Sequence, residues 1–230
     1  MYVQALPSAE PESTPEPAPT AEPTAAPKEH ALLDAYQYIS DEILPGAREM
    51  LAKNADAVAW LRIPGIVSLP VVYRDNSYYL DRDFYGNKNE SGTLFLDEAH
   101  PLRQDTQYMV IHGHNMHDGS MFGLLSHYRK GGYMEEHSVV YLDTLYRQEE
   151  YEVVGVLVLS ADVRSESYVP YTGMRKFHSE DQFCSFAQRI QQKALHWKEG
   201  AELFADDALL SLSTCYDEHR IVVVCRRVSP

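Results

Sequence analysis

A chain of 230 residues, 44% hydrophobic and 23% charged, can bury a sizeable core as one large domain or two small ones. Its formal net charge of −14 argues against nucleic acid as a partner, because phosphate binding needs clustered Lys and Arg. No hydrophobic run approaches the ~18 residues that a membrane span requires, and Met1 leads directly into polar, Pro-rich sequence rather than a secretory leader.

Residues 1–30 are rich in Pro, Ala, Glu and Thr, as in Pro15-Glu16-Pro17-Ala18-Pro19. Such a composition cannot form a core and reads as a disordered tail or an extended stalk. From Ala31 to about Asn54, Leu32, Leu33, Tyr36, Ile39 and Ile43 recur at helical spacing, and Pro45-Gly46 divides the run into two expected short helices. Strands are then expected over Val58–Ile63, closed by Pro64-Gly65, and over Pro70–Tyr73. Tyr78 to Phe84 reads as a helical turn or loop.

Thr93–Leu96 and Tyr108–Gly113 read as strands, the second running into a histidine cluster. Phe122–Tyr128 reads as a short helix. Ser138–Leu142 and Tyr151–Ser160 are strands by their β-branched and aromatic content. Residues 179–196 break this pattern. Ser179 with Gln182 three positions on fits a capping box, and Phe183, Phe186, Ala187, Ile190 and Ala194 share one helical face. Leu209–Thr214 and Ile221–Val228 close the chain as a hairpin. About eight strands with few helices predict a closed or nearly closed, antiparallel-rich barrel.

The chemistry concentrates in that hairpin. Tyr216-Asp217-Glu218-His219 separate Cys215 from Arg220. If these four residues form the turn, Cys215 and Arg220 oppose each other on one face, with Cβ atoms about 4.5–5.5 Å apart. An Arg there favours a thiolate, and its fork can donate to a carbonyl or an oxyanion. Cys225, five positions after Arg220, points to the other face, so a Cys215–Cys225 disulfide is not expected. With three cysteines in the chain at least one thiol stays unpaired within it. Cys184 and Cys225 are expected to be small buried hydrophobes. Cys215 reads either as a nucleophile or as a core residue.

A nucleophilic cysteine needs an acid/base partner, usually histidine. His112, His114 and His117 cluster at a strand end, where a side chain can enter a cleft. The same spacing resembles a metal-ligand pattern, but no second acidic and histidine cluster completes such a site, so neither metal nor cofactor is expected.

Leu212-Ser213-Thr214-Cys215, followed by Arg220 opening a Val-rich strand, resembles the signature of sortases. Tyr108 to Met116, continuing through Asp118-Gly119-Ser120-Met121-Phe122-Gly123, resembles the histidine segment of class B sortases, as do Asn76-Ser77-Tyr78-Tyr79-Leu80 and the late helix. The resemblance runs from about Asn54 to Val228. It implies a mainly β fold: an eight-stranded sortase-type barrel over 55–230, N-terminal helices over 31–54, and a helix inserted before the last two strands. It also implies a cysteine transpeptidase of Gram-positive bacteria, on the outer face of the cell membrane. Such an enzyme cuts a C-terminal sorting motif of a secreted protein after Thr. It holds the acyl group as a thioester and passes it to an amine of a cell-wall peptide or of a pilin. An N-terminal anchor would tether the domain, with residues 1–30 as the stalk.

By position, the resemblance makes Cys215 the nucleophile, His114 the acid/base and Arg220 the stabiliser of carbonyl and oxyanion. Thr214 neighbours the oxyanion hole. Asn76, Leu80, Tyr168, Val169 and Ser213 fall in the substrate groove. Asp217 is either a third, histidine-orienting residue or only a turn residue. Position 112 is His where the family often has Tyr. Two other readings stay open beside transpeptidation: a cysteine hydrolase that releases product to water, and a non-enzymatic surface binding module with a buried Cys215.

Overall fold

A computed structural model describes residues 43–99, 106–172 and 177–228. The Pro-rich segment and most of the first expected helix lie outside them. The second expected helix is α1 (Pro45–Lys53), which starts on a proline at its first turn, where the missing N–H costs nothing.

Eight strands close into a barrel. β1 (Ala57–Ile63) turns at Gly65, which has φ 78°, into antiparallel β2 (Val67–Val72). β2 lies parallel to β3 (Leu94–Leu96), and β3 antiparallel to β4 (Tyr108–His112). β4 lies parallel to β8 (Leu209–Tyr216), which forms the final hairpin with β9 (His219–Arg227). β9 pairs with β6 (Gln148–Ser160), β6 with β5 (Val139–Thr144), and β5 returns to β1. A ninth strand, β7 (Ala194–Trp197), stands outside the ring on the edge of β6. It was not expected. Four residues with Leu195 exposed carry too little alternation to read as a strand. Gly155 of β6 makes the pairing feasible, since a Cβ there would come within 2.6 Å of the Trp197 ring.

Between the β6 and β7 strands lies α3 (Glu180–Lys193), the expected late helix; the four-residue α2 (Tyr133–Glu136) precedes β5. Ser179 Oγ accepts the Gln182 N–H at 3.2 Å, and Gln182 Oε1 accepts the His178 N–H at 2.7 Å. The reciprocal bond thus falls one residue before the cap. α3 buries Phe183, Phe186, Ala187 and Ile190. Cys184, in contrast to the expectation, is exposed, because one residue after Phe183 is a 100° step off the buried face.

The strands nearest the hairpin are buried on both faces. Ile111, Leu210, Leu212, Ile221, Val223 and Cys225 fill the barrel interior. Tyr108, Val110, Leu209, Val222 and Val224 pack outward against α3 and against Val169 and Tyr171 of the preceding loop. Double burial explains why Ile221–Cys225 is continuously apolar rather than alternating.

Candidate active site

The turn of the β8–β9 hairpin is two residues long, Asp217-Glu218, with Tyr216 and His219 as its closing pair. Asp217 sits at φ 51°, the left-handed conformation that such turns demand at their first position and that Asp tolerates. Arg129 stacks its guanidinium 4.0 Å from the centre of the Tyr216 ring and so braces the hairpin tip.

This register sets Cys215 directly opposite Arg220. The Arg220 Nη1 donates to Cys215 Sγ at 2.6 Å. A guanidinium has donors only, so the contact engages the sulfur lone pairs. Cys215 is exposed, whereas Ser213 and Thr214 just before it are buried. The buried Cys215 required by a purely structural module is therefore absent. Cys225 lies in the barrel interior, on the opposite face, and burial pushes its thiol well above the ordinary range. All three cysteines are unpaired.

Alternation along β8 and β9 puts Cys215 and Arg220 on the outer face of the barrel, in line with Ser213 and with Val222. β4 brings the histidine. His112 pairs with Ser213, the Gly113 N–H donates to the Ser213 carbonyl at 3.2 Å, and Thr214 Oγ1 donates to the Gly113 carbonyl at 2.8 Å. The paired stretch of β4 ends at His112, and His114 follows two residues on, just past it. Gly113 is needed there, because a Cβ would come within 2.8 Å of the Phe122 ring.

The His114 Nε2 is 2.6 Å from the carbonyl oxygen of Leu80. That oxygen is held by a short turn of helix, Tyr78–Leu80. Asp75 Oδ1 starts the turn by accepting the N–H groups of Ser77 and Tyr78, and the Ser77 hydroxyl also donates to it. Hydrogen bonds led by the Ser77 hydroxyl hold the Asp75 carboxyl below its usual range. Gly92, at φ 62°, backs the turn so closely that a Cβ would lie 2.8 Å from the Leu80 oxygen. Asp217 makes no hydrogen bond to His114 among the described residues; the partner of the ring is this main-chain carbonyl.

Two segments carry the other expected groove residues, one joined to His114 through Leu80 and one to Ser213 through Tyr171. One is the 75–80 segment, with Asn76 and the 41% exposed Leu80. The Asn76 amide is tied back: its Oδ1 accepts the Glu98 N–H at 2.8 Å, and its Nδ2 donates to Asp97 Oδ2 at 3.4 Å. The other carries a half-buried Tyr168, with Val169 and Tyr171 buried in the core cluster under α3. The Tyr171 hydroxyl and Ser213 Oγ are 2.8 Å apart, and burial raises the Tyr171 phenol. Tyr171 and Asp97 were not foreseen. Tyr171 follows the named Tyr168-Val169 by only two residues, whereas Asp97 is brought in by the pairing of β3 with β4.

The sortase-domain family model matches residues 61–228. The chain belongs to the sortase family. Sortases are cysteine transpeptidases, and this activity class, with cell-wall anchoring, comes with the family. Its likeness is to class B. The chain is 25% identical over 192 residues to sortase B of Listeria monocytogenes, covering 80% of this chain and 75% of the relative. A Bacillus anthracis protein described as similar to sortase B superposes with a TM-score of 0.74 at 29% identity, over 82% of this chain and 85% of that one. The Staphylococcus aureus sortase B–substrate complex shares the fold, with a TM-score of 0.71 at 23% identity over 82% and 87% of the two chains. The expected eight-stranded barrel with a helix before its last strands is the architecture of these structures, with β7 as an addition outside the ring. No helix among the described residues is long and apolar enough to cross a membrane.

Proposed function

We propose that this sortase joins a secreted protein to an amine by way of a thioester on Cys215. The observation that carries the proposal is the exposed Cys215 sulfur, 2.6 Å from the opposed Arg220, with His114 at the adjoining strand end. A sorting segment lies in the groove between the 75–80 and 168–171 walls, its Thr carbonyl at the sulfur. Thiolate attack forms the S–C bond and moves the negative charge to the carbonyl oxygen, where the Arg220 fork receives it. As the C–N bond breaks, protonated His114 gives its proton to the departing nitrogen, a transfer typically worth ~10²–10⁴-fold. Neutral His114 then takes a proton from the incoming amine, which displaces the sulfur and regenerates the thiolate. For His114 to reach the leaving nitrogen, the bond to the Leu80 carbonyl has to open.

The acceptor is an amine of a cell-wall peptide or of a pilin, and the native enzyme works outside the membrane from an N-terminal anchor. Sorting-signal peptides cut after Thr, with triglycine or hydroxylamine as acceptor, test the reaction. Wild type is expected to yield the amine adduct. Cys215→Ala is expected to keep the fold and yield nothing. Cleavage by Cys215→Ala would sink the assignment, and cleavage without any adduct would leave a hydrolase.

A further inference from the structure

The outer face of the barrel beside Ser213 holds a side-chain couple that the steps above do not use. Alternation along β3 and β4 places Phe95, Asp97 and His112 on the same outer face as Ser213 and Cys215. His112 is the register partner of Ser213, two residues before Cys215 on one face, or roughly 7 Å along the strand. Its Nε2 lies 3.0 Å from Asp97 Oδ2, with the side chains only 16% and 7% exposed. The ring also packs against Phe95, with the centroids 5.2 Å apart.

Asp97 is set up as an acceptor. Its Oδ1 accepts the Ala99 N–H at 3.0 Å, and its Oδ2 is shared by Asn76 Nδ2 and His112. Burial alone would raise its carboxyl, but the hydrogen bonds from His112 and Ala99 bring it below the ordinary range. An ionised carboxylate only accepts, so the proton on this edge of the imidazole belongs to Nε2. In the neutral ring Nδ1 is then an acceptor. Nothing among the described residues donates to it, and it is not one of the buried unpartnered atoms, so it stays open to solvent or to a ligand.

We propose that His112, fixed by Asp97, is a specificity-determining residue. With the ring neutral, its Nδ1 accepts a hydrogen bond from an N–H or O–H donor on a substrate side chain within about three residues of the cleaved bond. Asp97 acts through His112 and is a positioning residue. The inference rests on the groove binding a peptide, as proposed above, but not on the thioester chemistry.

The test measures binding to Cys215→Ala, which cannot form the thioester. Fluorescent pentapeptides with a fixed Thr are varied at each other position, with Asn, Gln or Ser compared against Leu or Val, and Kd is read by anisotropy. At one position the donor-bearing peptide is expected to bind about tenfold tighter than its apolar counterpart, as for a site that leaves a buried polar group unpaired. Adding His112→Phe is expected to cut that ratio below about twofold while leaving the apolar peptide within about threefold. Adding Asp97→Asn lowers the ratio too, and His112→Gln, which keeps an acceptor, restores part of it. Loss of stability alone would weaken both peptides alike. A ratio unchanged by His112→Phe, or near one at every position in Cys215→Ala, overturns the proposal. Discrimination in binding without turnover in wild type would instead remove the transpeptidation scheme and leave this subsite standing.

Discussion

Substituting lysine for Arg220 keeps the positive charge and removes the planar fork. The Nη1 donor lies 2.6 Å from Cys215 Sγ, across the hairpin from it. During attack the negative charge moves from sulfur to the carbonyl oxygen, about one bond length and a half further out. A guanidinium presents several donors in one plane and can hold both positions; an ammonium on a flexible stem meets one at a time. Removing one donor aimed at a developing oxyanion costs about 10²–10³ in kcat, or about 2.7–4 kcal/mol. Arg220→Ala is therefore expected to lower kcat at least about a hundredfold. Arg220→Lys is expected to recover part of it and remain about tenfold below wild type. KM should change little in either variant. Arg220 is half-exposed and its described hydrogen bond goes to the sulfur, so the thermal midpoint should also hold. Initial rates on a cleavable sorting peptide, with melting curves alongside, decide the matter. Wild-type kcat in Arg220→Lys would refute the argument from fork geometry, and kcat within threefold of wild type in Arg220→Ala would refute any oxyanion role.

Gly155→Ala drives a Cβ to 2.5 Å from the Trp197 ring, so β7 must shift. A loss of about 1–3 kcal/mol in urea unfolding is expected, with peptide turnover kept, because β7 stands outside the ring. In native protein a small alkylating reagent should modify Cys215 and Cys184 and leave Cys225 untouched until the barrel unfolds, as mass spectrometry of tryptic peptides would show.

The hairpin register was legible because it depends only on a count: four residues between Cys215 and Arg220 oppose them whether the turn itself takes two or four. The capped α3 was legible for a similar reason, since both cap and stripe are local patterns. Cys184 went astray because its residue type was weighed above its phase. The spacing that buries Phe183 and Ala187 turns position 184 toward solvent. What could not be read depends on contacts distant in the chain. The partner of His114 is a main-chain carbonyl 34 residues away, and carbonyls leave no mark in a sequence. Asp97 looks like any loop-edge acid until the pairing of β3 with β4 sets it against His112.

The placement of the site follows from how its strands are buried. β8 and β9 are packed on both faces up to Ser213 and Val222, then emerge from under the 168–171 loop, so Cys215 and Arg220 sit at the point where rigid sheet meets solvent. Arg220 has a paired strand on either side and Cys215 has Arg220 as its strand partner, which fixes the backbone of the couple. The walls are different in kind. The 75–80 turn hangs on Asp75 and on the close approach of Gly92, and the 168–171 loop on Tyr171 and Ser213. In the proposed scheme the reactive groups stand on strands and the recognition groups on loops, so the two can change independently. The proposed His112 subsite is the exception, since it stands on a strand and its second nitrogen has no donor among the described residues. A substitution in the walls should thus alter KM across many peptides, whereas one at His112 should alter the choice among them.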